Sequence, residues 1–465
     1  MTAPQWLRLV LVGLGASVVP LDTAVNIGFP DITQSFGLPI RMIQWVVICY
    51  VLTYASLMLA FGRVGDIFGH ARVFRVGLAW SVAAFLLCAA APAYGWLLLF
   101  RFLQGVGAGL VISVAPALVT GLFPEQSRSR AVAAFTMIFA LSSAAGPLLG
   151  GALVGVWGWP AVFWFRAPIA LAALLFVRGL PPPSLAGERE PLDLIGACLL
   201  ALAISTLLLL VNALQRIGQG DYLAAPLLAL AAAGFFAFLR REARIPAPVI
   251  NLEFFRSFSF VAVNLSSVLV YLVSFSVLLF APYYLVRYTG LSLALAGAVL
   301  AVSFAGSIAA SPLAGRLIER FPAERVAMLG AVLGGAGLFW IGTWNAAPIL
   351  PVILAGLALQ GFGVGLFQVA YMDVVIATIP RRHRGVAGSI AMLTRTIGIV
   401  SGATLLTLVF HAIEASALAR GHSAADAFLD AYRTTFRLAG LCSALTGIAM
   451  ALAARGAPPI TRPRG

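Results

Sequence analysis

One phrase occurs twice in this chain, about half its length apart: GRVGDIFGHAR from Gly62 and GRLIERFPAER from Gly315. In each copy a Gly-Arg precedes an acid (Asp66, Glu319), then a Phe (Phe68, Phe321), then an Arg (Arg72, Arg325). A second pair, LQGVGAGL from Leu103 and LQGFGVGL from Leu359, keeps nearly the same offset. A third sets Pro124, Arg128 and Ala131 against Pro380, Arg384 and Ala387. Three phrases in one order at near-constant spacing mean that the polypeptide is a duplicated unit.

The stretches between the phrases decide where the two units reside. Apolar residues make up 61% of the chain and charged residues 10%, against about 45–50% and about 25% in a soluble domain. A bilayer-crossing helix needs about 20 mostly apolar residues. Fourteen such runs are present, at 6–29, 43–61, 73–92, 95–121, 131–155, 160–178, 192–213, 222–240, 258–286, 292–314, 325–344, 348–379, 385–411 and 434–454. The sequence therefore predicts an all-α integral membrane protein of fourteen transmembrane helices. The repeat phrases divide it into a six-helix N-terminal half (1–178), a linker with two extra helices (179–257), a pseudo-symmetric six-helix C-terminal half (258–454) and a tail (455–465). Parallel repeats embedded in a membrane are an arrangement used by secondary transporters.

The formal net charge of +14 is not a nucleic-acid signal here, because the basic residues lie almost entirely in short loops between apolar runs. All are Arg; the chain has no Lys. The side holding the N-terminus collects twenty-one Arg, whereas the opposite side holds six: Arg41, Arg216, Arg287, Arg420, Arg433 and Arg437. The positive-inside rule then places both termini in the cytoplasm, in a cell (inner) membrane. Cys49, Cys88, Cys198 and Cys442 fall within apolar runs without metal or disulfide spacing, so they read as buried small hydrophobes and no metal site is expected. The N-terminal apolar run is too long for a signal peptide, contains Asp22 and lacks an A-x-A exit.

Ionisable groups inside lipid need a partner or a purpose. Asp22, Arg101, Arg166 and Arg395 lie well within runs, and Asp373 lies nearer the cytoplasmic end of its own. At about 1.5 Å per residue, Asp22, Arg101 and Arg166 lie roughly 12, 9 and 10 Å from the outer side, at one level of the N-terminal half. Asp22 and Arg101 are expected to pair or share a hydrogen-bond network. Burial favours the neutral acid and Arg101 the carboxylate, which makes the pair a candidate proton switch; the other reading is a structural ion pair. Pro20 weakens the helix two residues before Asp22. Asp373 and Arg395, on consecutive helices, are a looser pair for coupling or for anchoring. Arg166 either attracts an anionic or carbonyl-bearing substrate or snorkels outward to the headgroups.

The glycines 105, 107 and 109 and their counterparts 361, 363 and 365 lie in apolar helices with no strand before them, which excludes a dinucleotide fingerprint and suggests close helix approach. Gly146, Pro147, Gly150 and Gly151 read the same way, at the meeting of the fifth helix with the other half. Aromatic residues at four-residue spacing share a helix face: Tyr50 and Tyr54, Phe135 and Phe139, Tyr271 and Phe275, Phe367 and Tyr371. With Asn26, Gln104, Gln360, Gln368 and Arg166 they form a candidate substrate cavity, apolar with few polar groups; packing is the competing reading for each aromatic pair.

Six motifs in order resemble the major facilitator superfamily, and within it the fourteen-span drug:proton antiporter branch. These are LDTAVNIGFPDI (21–32), GRVGDIFGHAR, LFRFLQGVGAG (99–109), GPLLGG (146–151), PLDLIG (191–196) and FFRSFSF (254–260). The resemblance covers essentially the whole chain. It departs from the branch at Ser142 and Ala133, where glycines are usual, and at Arg166, where a polar uncharged residue is usual. The resemblance implies proton-coupled export of lipophilic drugs or related small molecules by alternating access; Asp22, Arg101, Asp373 and Arg395 are the coupling candidates by their placement within the runs. It assigns a cytoplasmic gate to Gly62, Asp66, Gly69 and Arg72, with Gly315, Glu319 and Arg325 as the second copy. Asp66 would pair with the Arg72 cluster or cap the helix that begins near Gly385; the alternative for Asp66 and Glu319 is a solvated loop charge.

One proton crossing about 100 mV supplies about 2.3 kcal/mol, and one pH unit adds about 1.4, enough for a several-hundredfold gradient of a neutral solute. The expected partners are protons, a lipophilic substrate and the bilayer, with a monomeric chain, no nucleic acid and no cofactor beyond the proton gradient. An organic-anion carrier of the same fold is the alternative, motivated by the surplus of Arg101, Arg166 and Arg395 over Asp22 and Asp373. A non-transporting receptor or scaffold is disfavoured by the gate phrases and intramembrane charges. The chain has no G-x-S-x-G, no H-E-x-x-H and no P-loop lysine, so an enzyme is not expected.

Overall fold

In hydrocarbon a lone segment can satisfy its own backbone N–H and C=O groups only as a helix, and every regular element among the described residues of the computed structural model is helical. It describes residues 3–121, 125–177, 195–196, 198–199, 202–203, 206, 210, 224–242, 244–245, 258–346, 349–378 and 384–455. The chain begins with α1 (Ala3–Ser17), a 3-10 turn (Pro20–Thr23), α2 (Ala24–Ile27) and α3 (Phe29–Ser35). There follow α4 (Gln44–Phe68), α5 (His70–Ala89), α6 (Tyr94–Gly121), α7 (Glu125–Trp157), α8 (Ala161–Trp164), α9 (Arg166–Val177) and α10 (Ala224–Glu242). The later helices are α11 (Phe258–Tyr288), α12 (Leu293–Arg320), α13 (Ala323–Ile341), α14 (Leu350–Thr378), α15 (Arg384–Ala419) and α16 (Ala424–Arg455).

Ten segments among the described residues are long and apolar enough to cross a membrane. They correspond to the predicted runs one to five and nine to thirteen. The sixth run appears as the short pair α8 and α9, broken at Phe165. The eighth lies in α10 and the fourteenth in α16, neither among the ten. Most of the seventh, 192–213, lies outside the described residues, as do 178–194 of the linker and the tail from 456.

Two compact units are present, Met1–Val249 with Leu291–Ala298, and Ile250–Gly290 with Val299–Gly465. In the first, α5 packs against α6 and against α8 and α9, while α4 lies along α6 and α1 contacts α7 and α9. In the second, α13 packs against α14 and α16, and α11 against α15 and α16. These are corresponding contacts of corresponding helices, so the duplication read in the sequence extends to packing.

The glycine phrases show how. A Cβ on Gly105 would come within 2.7 Å of the Tyr50 carbonyl on α4, and one on Gly107 within 2.6 Å of Ser81 Oγ on α5. In the second unit Gly361 faces the Ser303 carbonyl on α12, and Gly363 faces the backbone of Gly334 on α13. Each phrase thus brings two neighbouring helices against one helix at backbone distance, which only a residue without a side chain permits.

The segment 62–75, expected as a loop, is almost all helix. α4 continues to Phe68, and the turn is the single residue Gly69, with φ +91°. A helix has no reason to stop at the hydrocarbon edge, and Gly69 supplies the one backbone conformation that turns the chain. In the second copy α12 runs to Arg320, and Pro322 (ψ 135°) precedes α13.

Candidate functional site

The first crossing is not a continuous helix. Pro20 lacks an N–H, and the chain passes through a 3-10 turn with Asp22 N donating to Val19 O (3.1 Å) before helix resumes at Ala24. The turn carries Asp22 into the interior of the first unit, where α6 presents Arg101 and Gln104, three residues apart on one face. Arg166 is the first residue of α9, immediately after the break at Phe165.

These four side chains form one network. Arg101 grips Asp22 with both terminal nitrogens, Nη1 to Oδ1 at 2.7 Å and Nη2 to Oδ2 at 2.9 Å. Its Nε donates to the Val46 carbonyl (2.8 Å), and Nη1 also donates to Gln104 Oε1 (2.8 Å). Gln104 Nε2 donates to Asp22 Oδ1 at 3.0 Å, and Arg166 Nη1 donates to the same oxygen at 2.6 Å. Arg101 and Arg166 are 1% and 0% exposed; Asp22 is 14% exposed. The Arg101 guanidinium lies over the Tyr50 ring (4.3 Å to the centroid) and that of Arg166 over Phe85 (4.6 Å). Arg166 Nε and Nη2, both buried, have no hydrogen-bond partner among the described residues.

Arg166 therefore does not reach outward to the headgroups; its side chain is closed in and holds Asp22. The equal depth of Asp22, Arg101 and Arg166 along their runs was the signal for the three-way cluster. The sequence reading placed Gln104 in the substrate cavity and missed it as the bridge; its i, i+3 spacing from Arg101 is the signal that could have found it.

Nearby, Asn26 Nδ2 donates to the Thr23 carbonyl (3.2 Å), and Thr23 Oγ1 donates to the Ser143 carbonyl on α7 (2.9 Å). Gly146 and Gly150 give α7 its close approach to this turn: a Cβ on Gly150 would meet the Ala24 carbonyl at 2.7 Å, and Gly146 abuts Thr23. They pack on the first crossing of their own unit, whereas Pro147 and Gly151 meet the start of α12, a helix that the sequence places in the other half, as expected. Gly151 faces the Leu293 carbonyl and Gly297 the Pro147 carbonyl, within the short Leu291–Ala298 segment that belongs to the same unit. Tyr50 and Tyr54 contact edge to face (5.2 Å), and Tyr54 and Phe139 are half-buried.

In the second unit, Tyr271, Phe367 and Tyr371 form a buried aromatic series, Tyr271 edge-on to Phe367 (6.4 Å) and Phe367 stacked on Tyr371 (5.8 Å). Phe275 is buried too. The Tyr371 hydroxyl bonds Asn264 Oδ1 (2.9 Å) and Thr394 Oγ1 (2.9 Å), and Thr394 contacts Ser267 Oγ (3.1 Å). Sequence reasoning missed Asn264, Ser267 and Thr394, although Asn264, Ser267 and Tyr271 lie at i, i+3 and i+7 along one face of α11. Gln360 accepts from Ser303 (2.6 Å), whereas Gln368 is exposed. Arg395 lies over the Tyr271 ring (5.4 Å), and Asp373 is half-buried on α14. Of the gate residues, Gly62 is half-buried on α4 and Arg72 exposed on α5; Gly315, Glu319 and Arg325 are also exposed. The side chain of Asp66 lies outside the described residues.

Residues 10–251 and 263–465 match the profile of the Major Facilitator Superfamily. The chain belongs to this superfamily. It is accordingly a multi-pass membrane transporter. It is 32% identical over 403 residues to the uncharacterized transporter YebQ of Escherichia coli, covering 86% of this chain and 87% of that one. It is 31% identical over 408 residues to the tetracenomycin C resistance and export protein of Streptomyces glaucescens, covering 86% and 75%. Further relatives include proteins named for multidrug and puromycin resistance and one named a riboflavin transporter. Among solved structures, a bacterial homolog of the human lysosomal transporter Spinster aligns with a TM-score of 0.72 at 16% identity, covering 98% of both chains. That likeness concerns the fold alone.

Proposed function

We propose that this chain is a fourteen-span, proton-coupled exporter of lipophilic small molecules, working by alternating access from a cell (inner) membrane with both termini in the cytoplasm. The observation that carries the reading is the Asp22–Arg101–Gln104–Arg166 network on an unwound first crossing. A carboxylate buried in this way, on backbone that is not locked into a helix, is a group whose partners can change when the helices shift. Protonation of Asp22 competes with two guanidiniums for the same oxygens, so proton uptake belongs to a state in which at least one has moved away. Relatives named for antibiotic resistance and export support lipophilic cargo. Asp373 and Arg395 are secondary candidates for coupling, and the two copies of the Gly-Arg phrase are candidates for the cytoplasmic gate. The chain would act as a monomer with the proton gradient as its energy source.

The test is substrate-triggered proton movement in proteoliposomes, wild type beside Asp22→Asn, with cationic, neutral and anionic compounds. Proton release on addition of compound, lost in Asp22→Asn, is expected. Transport in Asp22→Asn that keeps its proton dependence would reassign coupling to Asp373 or another group and leave Asp22 as a structural partner.

A further inference from the structure

The cluster in the first unit is unbalanced in charge. Asp22 contributes −1 and Arg101 and Arg166 contribute +1 each, so the buried site carries +1, with no other carboxylate in its hydrogen-bond network. Uncompensated charge in a low-dielectric interior is costly. The imbalance is also localised. Arg101 has each of its guanidinium nitrogens engaged, on Asp22, Val46 and Gln104. Arg166 is fully buried yet uses one nitrogen, and its Nε and Nη2 have no partner among the described residues. The Arg166 guanidinium carbon lies over the Phe85 ring at 4.6 Å from the centroid, and the unused Nε and Nη2 donors share one edge of the planar guanidinium. Two adjacent N–H donors in that plane are the geometry that binds a carboxylate through both oxygens.

We propose that this site takes the anionic group of an organic acid, with Arg166 Nε and Nη2 as donors, so that the preferred cargo is an apolar body carrying a carboxylate or comparable anion. The inference rests on the transport reading above and narrows its substrate class. A bound monoanion brings the site to neutrality; a neutral molecule leaves it at +1 and a cation takes it to +2. Arg166 has no exposed surface in this arrangement, so the anion reaches it past Asp22, the most exposed charged member of the cluster. The anion engages Nε and Nη2, while Nη1 keeps its bond to Asp22 and the bidentate Arg101–Asp22 pair persists. The flanking rings of Phe85 and Phe163 supply an apolar wall for the rest of the molecule.

Three probes of one skeleton test this: 2-naphthoate, its methyl ester and 2-naphthylmethylammonium, titrated calorimetrically against the purified full chain in detergent at pH 7. A two-point charge-assisted contact should favour naphthoate over the ester by about tenfold or more. The preference should collapse in Arg166→Gln and be partly kept in Arg166→Lys, with thermal unfolding of each variant checking that it is folded. Naphthoate that fails to bind, or that binds no better than the ester, overturns the proposal, as does a preference that survives intact in Arg166→Gln. Proteoliposome uptake of the same probes separates this from the transport reading. Movement of the ester and ammonium compounds without naphthoate sinks the anion proposal alone. Failure of all three to move, with selective naphthoate binding intact, sinks the transport reading alone.

Discussion

The two arginines that hold Asp22 should differ sharply in what they contribute to stability, although both are buried and both touch the same oxygen. Arg101 makes two charge-assisted bonds to Asp22 and further bonds to the Val46 carbonyl and Gln104, all between 2.7 and 2.9 Å. Arg101→Gln removes these and leaves Asp22 with Arg166 and Gln104. Breaking a buried pair by deleting one partner costs about 3–5 kcal/mol, and the surviving Arg166 contact places the loss near the lower end. Arg166→Gln deletes one charge-assisted bond, a loss of about 1.5–3 kcal/mol. It also removes two buried donors without partners, each carrying a penalty of about 1–3 kcal/mol, and it brings the cluster from +1 to neutral. The relieved donors and charge offset the lost bond, and the buried Gln amide adds back a penalty of about 1–3 kcal/mol for a group it leaves unpaired, so Arg166→Gln should cost far less than Arg101→Gln. In the Arg101→Gln background the same change strips Asp22 of its last cation and should cost about 3 kcal/mol or more. Equilibrium unfolding in mixed detergent micelles, followed by tryptophan fluorescence, reads all four proteins as a double-mutant cycle. Equal destabilisation by the two single substitutions, or simple additivity in the double variant, would refute the charge argument.

Gly69 turns the chain at φ +91° and ψ 124°, a region closed to residues with a side chain, so Gly69→Ala should cost about 1–3 kcal/mol; an unchanged unfolding midpoint would show that the turn relaxes. Gly361→Ala drives a methyl group into the Ser303 backbone and should cost about 1–3 kcal/mol by separating α14 from α12. The equivalent substitution at Gly105 should behave alike if the duplicated packing holds, and the same micelle unfolding compares them. Tyr371→Phe removes the hydroxyl that joins Asn264 to Thr394 and leaves Asn264 Oδ1 without its donor, so it should destabilise by about 1–3 kcal/mol. Rescue by Asn264→Leu in the same background would confirm that the cost is the orphaned acceptor rather than lost packing.

The helical class, the duplication and the membrane setting follow from residue order alone, because apolar runs of span length admit one backbone solution in lipid and a repeated phrase implies a repeated unit. The glycine phrases were legible for the same reason: a residue without a side chain, every second position in an apolar helix, predicts close neighbours before those neighbours are known. The intramembrane charges were legible as a group, since each is too costly to lie in lipid by accident. What residue order left open was how they are shared out. Depth along a run gives one coordinate, but the rotation of each helix and the breaks at Pro20 and Phe165 supply the others. Those breaks are why Arg166 turns inward to Asp22 instead of outward to the headgroups. The same limit hid Asn264, Ser267 and Thr394, ordinary polar residues whose meeting at Tyr371 depends on three helices packing together. Sequence thus determined which groups must find partners in the membrane, and the tertiary structure decided which partners they found and which two donors of Arg166 were left over.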